Sequence, residues 1–494
     1  MRPFRILVFV AALVVSTLPS SSLANNIEAC RVPDTKWSPV SLGFPVKQER
    51  LKYISKPKIL VIPFHPSDAP SFSFGQTEKN SFLQSAKEIY ELSSGLSQIE
   101  FVFNPTVKLT ITTQEMDEFK IFARETYLKD FERDQFGFAL KFIQEVDQSI
   151  DFTGIDSIVL YGVSFRKFEE IASALQFTSD MSFVGNNSKR KDGKPWFEPI
   201  VTNEKVISNV VLMYNRSEVF VITHELLHNY GLTDLYGAPN TPAGLSRMAA
   251  ATDETLLTYE KWVLGWHPEQ EVSCVSGDDS QKVSKFLFDT RSKEQIALIR
   301  PNQSNNVYVL ETSVVKRKSL FSFYRLSNDA RPPIEYYSYS NGRAGVDLND
   351  LNSITKNYEG ETHSVLIHSI TDSIATVYAY PNSAKNSTEV QMLIAESRIA
   401  AEKAAVELKA KQEAEAKAAA ELKAKQEAEA KAAAELKAKQ EAEAKAAAEL
   451  KAKQEAEAKA EAAKKKITIT CVKGKTVKKV TAVKPKCPSG YKKK

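Results

Sequence analysis

Residues 223–236 read Thr-His-Glu-Leu-Leu-His-Asn-Tyr-Gly-Leu-Thr-Asp-Leu-Tyr. His224 and His228 are four apart, so on a helix they share one face and both imidazoles can reach one metal ion, for which zinc is the expected identity. Glu225 follows the first of them, where its carboxylate can take a proton from a water at the metal. Gly231 allows the backbone to leave the helix with φ > 0, and the returning chain brings Asp234 up as a third ligand. Three protein ligands leave a coordination position open, which is the mark of a catalytic rather than a structural zinc site. A bare His-Glu-x-x-His can arise by chance on a buried helix. Here the chain has only six histidines, and two of them fall at ligand spacing around a glutamate with a glycine and an aspartate following, which favours the metal reading.

The surrounding sequence supplies a helix for the motif. Ser217 is the expected N-cap with Glu218 in the first turn, and Val219, Phe220, Ile222, Leu226 and Leu227 give an extensively apolar, buried helix. A β-branched run at 206–213 reads as the strand that feeds it. Upstream, strands are expected at 59–64, 99–103, 107–112 and 158–161, alternating with helices at 79–92 and about 133–149. Gly95 closes the first of those helices. This alternation predicts an α/β (α+β) domain over residues 56–268 with a largely parallel sheet. After Asp234 come a Gly/Pro/Ala/Ser-rich loop at 237–247, Met248, and a second helix at 258–265 under the site. Residues 269–383 change character to short β-rich runs at 285–288, 296–300, 307–311, 334–340, 364–368 and 374–380, which predict an all-β, sandwich-like accessory module.

The 494 residues exceed one compact core. The first 24 have the form of a signal peptide: a basic start, an apolar run at 6–18 and Ser22-Leu23-Ala24. A mature chain is expected from near Asn25, exported, with residues 25–55 as an N-terminal segment and no later stretch apolar enough to span a bilayer. The four cysteines suit two disulfides in an oxidising compartment. Sequence allows three pairings. A local Cys471–Cys487 bridge would staple the tail and leave Cys30 for Cys274. The competing reading is an inhibitory switch, because Cys30-Arg31-Val32-Pro33-Asp34 resembles the matrixin segment whose cysteine occupies the open zinc position.

Residues 56–268 resemble the immune-inhibitor-A-type (M6) secreted zinc metalloproteases of the metzincin clan. The matching stretches are Leu60-Val61-Ile62-Pro63, residues 90–95, Asp151-Phe152-Thr153-Gly154-Ile155-Asp156, residues 224–236, Met248 and Lys261-Trp262-Val263-Leu264-Gly265-Trp266. The resemblance implies a zinc endopeptidase in which His224, His228 and Asp234 bind the metal, Glu225 is the general base and Met248 forms the Met-turn beneath it. Thr233 stands where such enzymes commonly have proline, and Ala249-Ala250-Ala251 replaces the usual glycine-containing turn. Zn2+ is the expected cofactor, with a structural Ca2+ as a further candidate ion, and proteins or peptides are the expected substrates. The alternative function is a surface-displayed binding or adhesion protein that keeps the fold with little turnover. An intact Glu225 argues against it.

Beyond about residue 388 the chain is nearly pure Ala, Glu, Lys, Gln and Leu, with Leu408, Leu422, Leu436 and Leu450 recurring every fourteen residues. These are strong helix formers, and pairs such as Glu407–Lys411 and Glu413–Lys417 have the favourable order. Residues 388–466 are therefore expected to form a helical spacer on the order of 110 Å long. Its sparse leucine seam suits a solvated helix better than a coiled coil, leaving at most weak self-association. The tail, 467–494, reads as a disulfide-closed hairpin. It holds nine lysines and no acidic residue, so the net charge of +5 conceals a basic end. An anionic cell-surface polymer is the expected partner of that end, ahead of nucleic acid.

Overall fold

The apolar run at 59–64 forms β1 (Lys58–His65), the second strand of the first sheet, and successive side chains along it enter different cores. Ile59 and Val61 point to one side, and Leu60, Ile62 and Phe64 to the other. In this computed structural model, residues 27–35, 38–71, 73–120, 135–162, 171–179, 198–214, 216–236, 242–291, 293–301, 304–316, 318–328, 333–340, 343–348, 356–371 and 373–494 are described. The expected signal peptide and residues 237–241 of the glycine-rich loop lie outside them.

After β1 come α1 (Gln76–Leu92), β2 (Glu100–Phe103), β3 (Val107–Lys108), α2 (Thr113–Lys120), α3 (Gln135–Val146), β4 (Ser157–Gly162), β5 (Ile171–Gln176), the short hairpin β6 (Ile200–Val201) and β7 (Val206–Ile207), and β8 (Asn209–Tyr214). The sheet runs β2-β1-β4-β8-β5, with β3 extending from β1. All neighbours are parallel except β5, which is antiparallel to β8. Helices α1 and α4 (Val219–Tyr230) cover one face and α3 the other, so the central strands are buried on both sides and read as continuous apolar runs.

Several local expectations are corrected. The strand expected at 107–112 ends at Lys108, because Leu109 and Ile111 turn in to the second core and α2 follows. Helix α1 starts at Gln76, three residues early, where the Glu78 carboxylate accepts the Gly75 N–H at 2.9 Å. Ser217 does not cap α4: the N-cap residue is Glu218, held by Arg216 Nε at 3.1 Å, while the Ser217 hydroxyl is engaged with Tyr161.

The second half begins with α5 (Thr258–Val263) and continues as β9 (Val272–Ser276), β10 (Ser284–Asp289), β11 (Gln295–Arg300), β12 (Asn306–Val315), β13 (Lys318–Ser327), β14 (Ile334–Tyr336), β15 (Tyr339–Ser340), β16 (Arg343–Ala344), β17 (Val346–Asp347), β18 (Asn357–Glu359), β19 (His363–Thr371) and β20 (Ile374–Pro381). A sheet ordered β14-β13-β12-β11-β9 faces a second ordered β10-β20-β19-β18. Phe286, Phe288, Leu310, Phe321, Phe323 and Val377 fill the space between them. This is the expected sandwich, but it is not a separate body. The outer face of the first sheet, through Leu298, Val309, Tyr324 and Leu326, packs into the same core as α4 and α5, so both halves form one compact unit, Met1–Ala405.

Residues 27–54 belong to that unit too. Cys30, Val32, Leu42, Val46 and Leu51 are core residues, and Cys30 is bridged to Cys274 on β9 across 244 residues of chain. The bridge leaves Cys30 no free thiolate and so removes the inhibitory-switch reading. Arg50 is fully buried; it donates from Nη1 to Asn209 Oδ1 at 2.7 Å and from Nη2 to the Phe177 carbonyl. Ser41 N–H donates to the Gly231 carbonyl at 3.1 Å. The segment is thus a brace around the end of α4 rather than a loose leader.

The repeat forms one 77-residue helix, α6 (Thr388–Lys464), whose beginning docks on the sandwich through Val390 beside Leu366 and Tyr380. Its repeat leucines are exposed, from 41% at Leu408 to 61% at Leu450. Lys411 lies 3.9 Å from Glu415, an i, i+4 contact of the opposite order to the expected pairs. The remaining unit, Val406–Lys494, ends in β21 (Ile467–Lys473), β22 (Thr476–Ala482) and β23 (Lys492–Lys493), closed by Cys471–Cys487. Among the described residues no helix is long and apolar enough to cross a membrane. The two disulfides suit an extracellular or otherwise oxidising environment.

Candidate metal centre

Helix α4 presents the motif in a buried setting: His224, Glu225 and His228 are each less than a tenth exposed. The helix is pinned along its length. Thr223 Oγ1 donates to Glu88 Oε2 of α1 at 2.8 Å, and Asn229 Nδ2 donates to Ser157 Oγ of β4 at 3.1 Å. Asn229 Oδ1 accepts from Gln176 Nε2 of β5 at 3.2 Å. At its end Gly231 has φ +119°, and a Cβ there would lie 2.5 Å from Val46 Cγ1 of the brace. Both the backbone conformation and the space require glycine.

The turn made there brings Asp234 back over the two histidines. Asp234 Oδ1 lies 3.2 Å from His224 Nε2 and 3.2 Å from His228 Nε2. The other ring nitrogens are committed: His224 Nδ1 faces the Arg247 carbonyl at 2.9 Å and His228 Nδ1 the Leu232 carbonyl at 2.8 Å. A carbonyl only accepts, so each Nδ1 carries a hydrogen, and in the neutral ring Nε2 is the nitrogen whose lone pair faces the common centre. Asp234 Oδ1 is buried, and the two Nε2 atoms are the polar groups it faces. Ligand atoms on a tetrahedral zinc stand about 3.3 Å apart for bonds of about 2.0–2.1 Å; the two His–Asp separations match that spacing, and all three donor atoms lie within 4.8 Å of one another, so the donor set suits such an ion in its chemistry.

Charge at the site follows from the same convergence. Burial disfavours a charged His228, but Asp234 outweighs it and pushes His228 up to about 9, while the imidazoles hold Asp234 far below the usual carboxylate range against its own burial. The metal-free chain therefore holds a proton between ring and carboxylate that a metal would displace. Burial pushes Glu225 up, opposed by His228, His224 and the Ala174 N–H of β5. Glu225 is thus beside the donor set and oriented by the sheet's edge strand.

Around the ligands stands a shell that the motif does not disclose. Arg247, whose carbonyl orients His224, donates from Nη2 to Glu88 Oε2 at 3.1 Å and from Nη1 to the Ala251 carbonyl at 2.8 Å. Met248 is fully buried, and its carbonyl accepts the Leu235 N–H at 2.8 Å, one residue beyond Asp234. The Met248 N–H donates to Ser246 Oγ at 3.0 Å, and that hydroxyl donates to Glu260 Oε2 at 2.7 Å, which also caps α5 through the Leu257 N–H at 2.8 Å. Next door, Glu311 of β12 accepts the Tyr259 N–H at 2.8 Å and the Tyr324 hydroxyl at 3.2 Å. Tyr236 stacks on the His224 ring at 6.2 Å and remains 55% exposed, the outer wall of the site. Glu88, Ala174, Ser246 and Glu260 were not anticipated, since no local pattern marks a residue that acts across the fold.

The buried acids make a testable pH dependence. Burial pushes Glu260 up to about 8 and Glu311 up to about 7, from an ordinary value of 4.5. The folded state therefore keeps protons that the unfolded chain has released, and the stability this confers, complete below 4.5, is lost as pH rises through about 7 and then 8. Each unit of that interval costs about 1.4 kcal/mol per group. The melting temperature is expected to fall between mildly acidic and mildly alkaline pH. Glu311→Gln, which keeps the shape without the ionisation, should flatten the fall; identical pH profiles for both proteins would refute the assignment.

Compared with known proteins, the chain matches no family model and no curated protein.

Proposed function

We propose that this protein is a zinc-dependent endopeptidase of the metzincin-like, immune-inhibitor-A-related kind, acting on proteins or peptides outside the reducing cytosol. One observation carries the reading: two imidazole Nε2 atoms and one carboxylate oxygen converge at 3.2 Å, with both Nδ1 atoms already committed to carbonyls and a buried glutamate alongside. A structural site would be expected to close with a fourth protein ligand, and among the described residues the cluster consists of three.

His224, His228 and Asp234 would hold the ion, which when bound supplies Lewis acidity to a water and to a scissile carbonyl. Glu225 takes the proton from the attacking water and returns it to the leaving amine. Strand β5 lies at the sheet edge beside α4, and among the described residues it pairs only with β8. Its outer backbone groups can receive an extended peptide and lay its carbonyl across the donor set. Tyr236 gives that substrate an aromatic wall on the side of His224. The buried Met248 and the hydrogen bond from Leu235 support its reading as the floor of the site.

The test is metal analysis and cleavage of an unfolded protein substrate by the same preparation. About one zinc per chain is expected, with hydrolysis abolished by a chelator and restored by zinc. A zinc-loaded chain without turnover would overturn the enzymatic reading and favour the binding protein.

A further inference from the structure

The last 28 residues make a small sheet with an unusual charge distribution. Residues 467–494 contain nine lysines and no aspartate or glutamate. In register, Cys471 of β21 pairs with Lys478 on β22 and with Lys493 on β23, so two ammonium groups flank the cystine in one row. The opposite face holds Lys479 across from Thr470 and Lys492 across from Val472. Neighbouring strands are about 4.8 Å apart, which puts the flanking lysines of a row about 10 Å from each other. These ammonium groups repel over that distance, about a Debye length in physiological salt, and the module has no carboxylate side chain of its own to offset them. Its interior is slight, with Ile469 and Cys471 as the buried apolar residues, and the Cys471–Cys487 bridge closes it. A fold so small and so charged gains most from a ligand carrying several negative charges at once.

We propose that residues 467–494 are a binding module for a flexible anionic polymer of repeating phosphate or carboxylate groups without bases, such as an anionic glycan or polyol-phosphate chain. Single-stranded nucleic acid is disfavoured because its capture relies on aromatic platforms. The module's one aromatic residue is Tyr491, over whose ring Lys478 Nζ already lies at 5.7 Å. A lipid surface is disfavoured because Ile467, Val477 and Val483, the exposed large apolar side chains, are scattered and are not accompanied by an exposed aromatic anchor. The two cystines also suit an environment in which such polymers, rather than nucleic acids, are the abundant polyanions.

The test uses the full chain with its disulfides intact and a poly(glycerol phosphate) probe, measured by fluorescence anisotropy. Binding through about four lysines predicts that affinity falls roughly 50- to 150-fold between about 50 and 200 mM salt. The combined Lys478→Gln, Lys479→Gln, Lys492→Gln, Lys493→Gln variant should lose at least about tenfold at low salt, while the matching four arginine replacements retain binding. Non-reducing peptide mapping of Cys471–Cys487 in both variants separates lost charge from lost fold. Salt-independent binding, or equal affinity of the glutamine and parent chains, would overturn the proposal. Tighter binding of phosphatidylglycerol vesicles or of oligothymidylate at matched charge would also overturn it, in favour of a membrane or a nucleic acid. None of these readouts depends on hydrolysis, so they stand or fall separately from the zinc site.

Discussion

Glu225→Gln is expected to leave the chain folded and able to take up zinc while lowering peptide-bond hydrolysis by about two to four orders of magnitude. The amide has the volume of the carboxylate and can still accept the Ala174 N–H, so the edge strand and α4 keep their contact. His224, His228 and Asp234 are untouched, with the Nδ1 atoms of the two histidines still held by the Arg247 and Leu232 carbonyls. What disappears is the basic oxygen, and with it both proposed proton transfers. Zinc content and kcat/KM on one fluorogenic peptide, measured on the same preparation, check the prediction. Loss of metal would make Glu225 a ligand, and unchanged kcat/KM would remove it from the mechanism.

Arg50→Ala should be the most damaging single change away from the His224–His228–Asp234 cluster. The guanidinium is fully buried, and burial lowers its pKa only to about 10, so it is charged in the fold. It joins three parts of the chain: its own segment, the Phe177 carbonyl after β5, and Ser208–Asn209 at the start of β8. Its stem also packs beside Gly231, with Cγ 3.4 Å from where a Cβ would stand. Removing it leaves carbonyl and amide oxygens buried without their donor and opens a void beneath the end of α4. A loss of about 3–5 kcal/mol is expected in urea unfolding. Zinc affinity should drop as well, because the turn through Gly231 to Asp234 loses its backing. Arg50→Met, which restores volume but not hydrogen bonds, should recover part of the stability. A loss below about 1 kcal/mol would mean that the brace is dispensable.

The local chemistry of this protein was legible in sequence wherever it depends on short spacing. The i, i+4 histidines, the left-handed glycine and the aspartate three residues later can be read from one stretch because one helical turn and one tight turn determine their meeting. The same holds for α6, whose residues form a helix from propensity and local pairs, and for the tail, whose alternating residues and two cysteines close a hairpin. The central strands β1, β4 and β8 announced themselves as apolar runs because they are covered on both faces.

Other features depended on the tertiary structure. Strand β5, partly polar and at an edge, carries no comparable run, and it acquires its place by pairing with β8. The ten-residue β13, Lys-Ser-Leu-Phe-Ser-Phe-Tyr-Arg-Leu-Ser, interleaves serines with aromatics because its two faces meet different cores, a role that only the packed sandwich assigns. The brace looked like a polar leader, since its few apolar residues are too widely spaced to show a period. Its role comes from contacts with chain more than a hundred residues away. The hydrogen bonds that orient His224 through Arg247 and Glu88, and those that hold Met248 through Ser246 and Glu260, likewise join residues remote in sequence. Sequence spacing determined which atoms can reach a metal; the packing of α1, α4, α5 and the sandwich decided which way those atoms point, because orientation is imposed by long-range contacts that leave no local period.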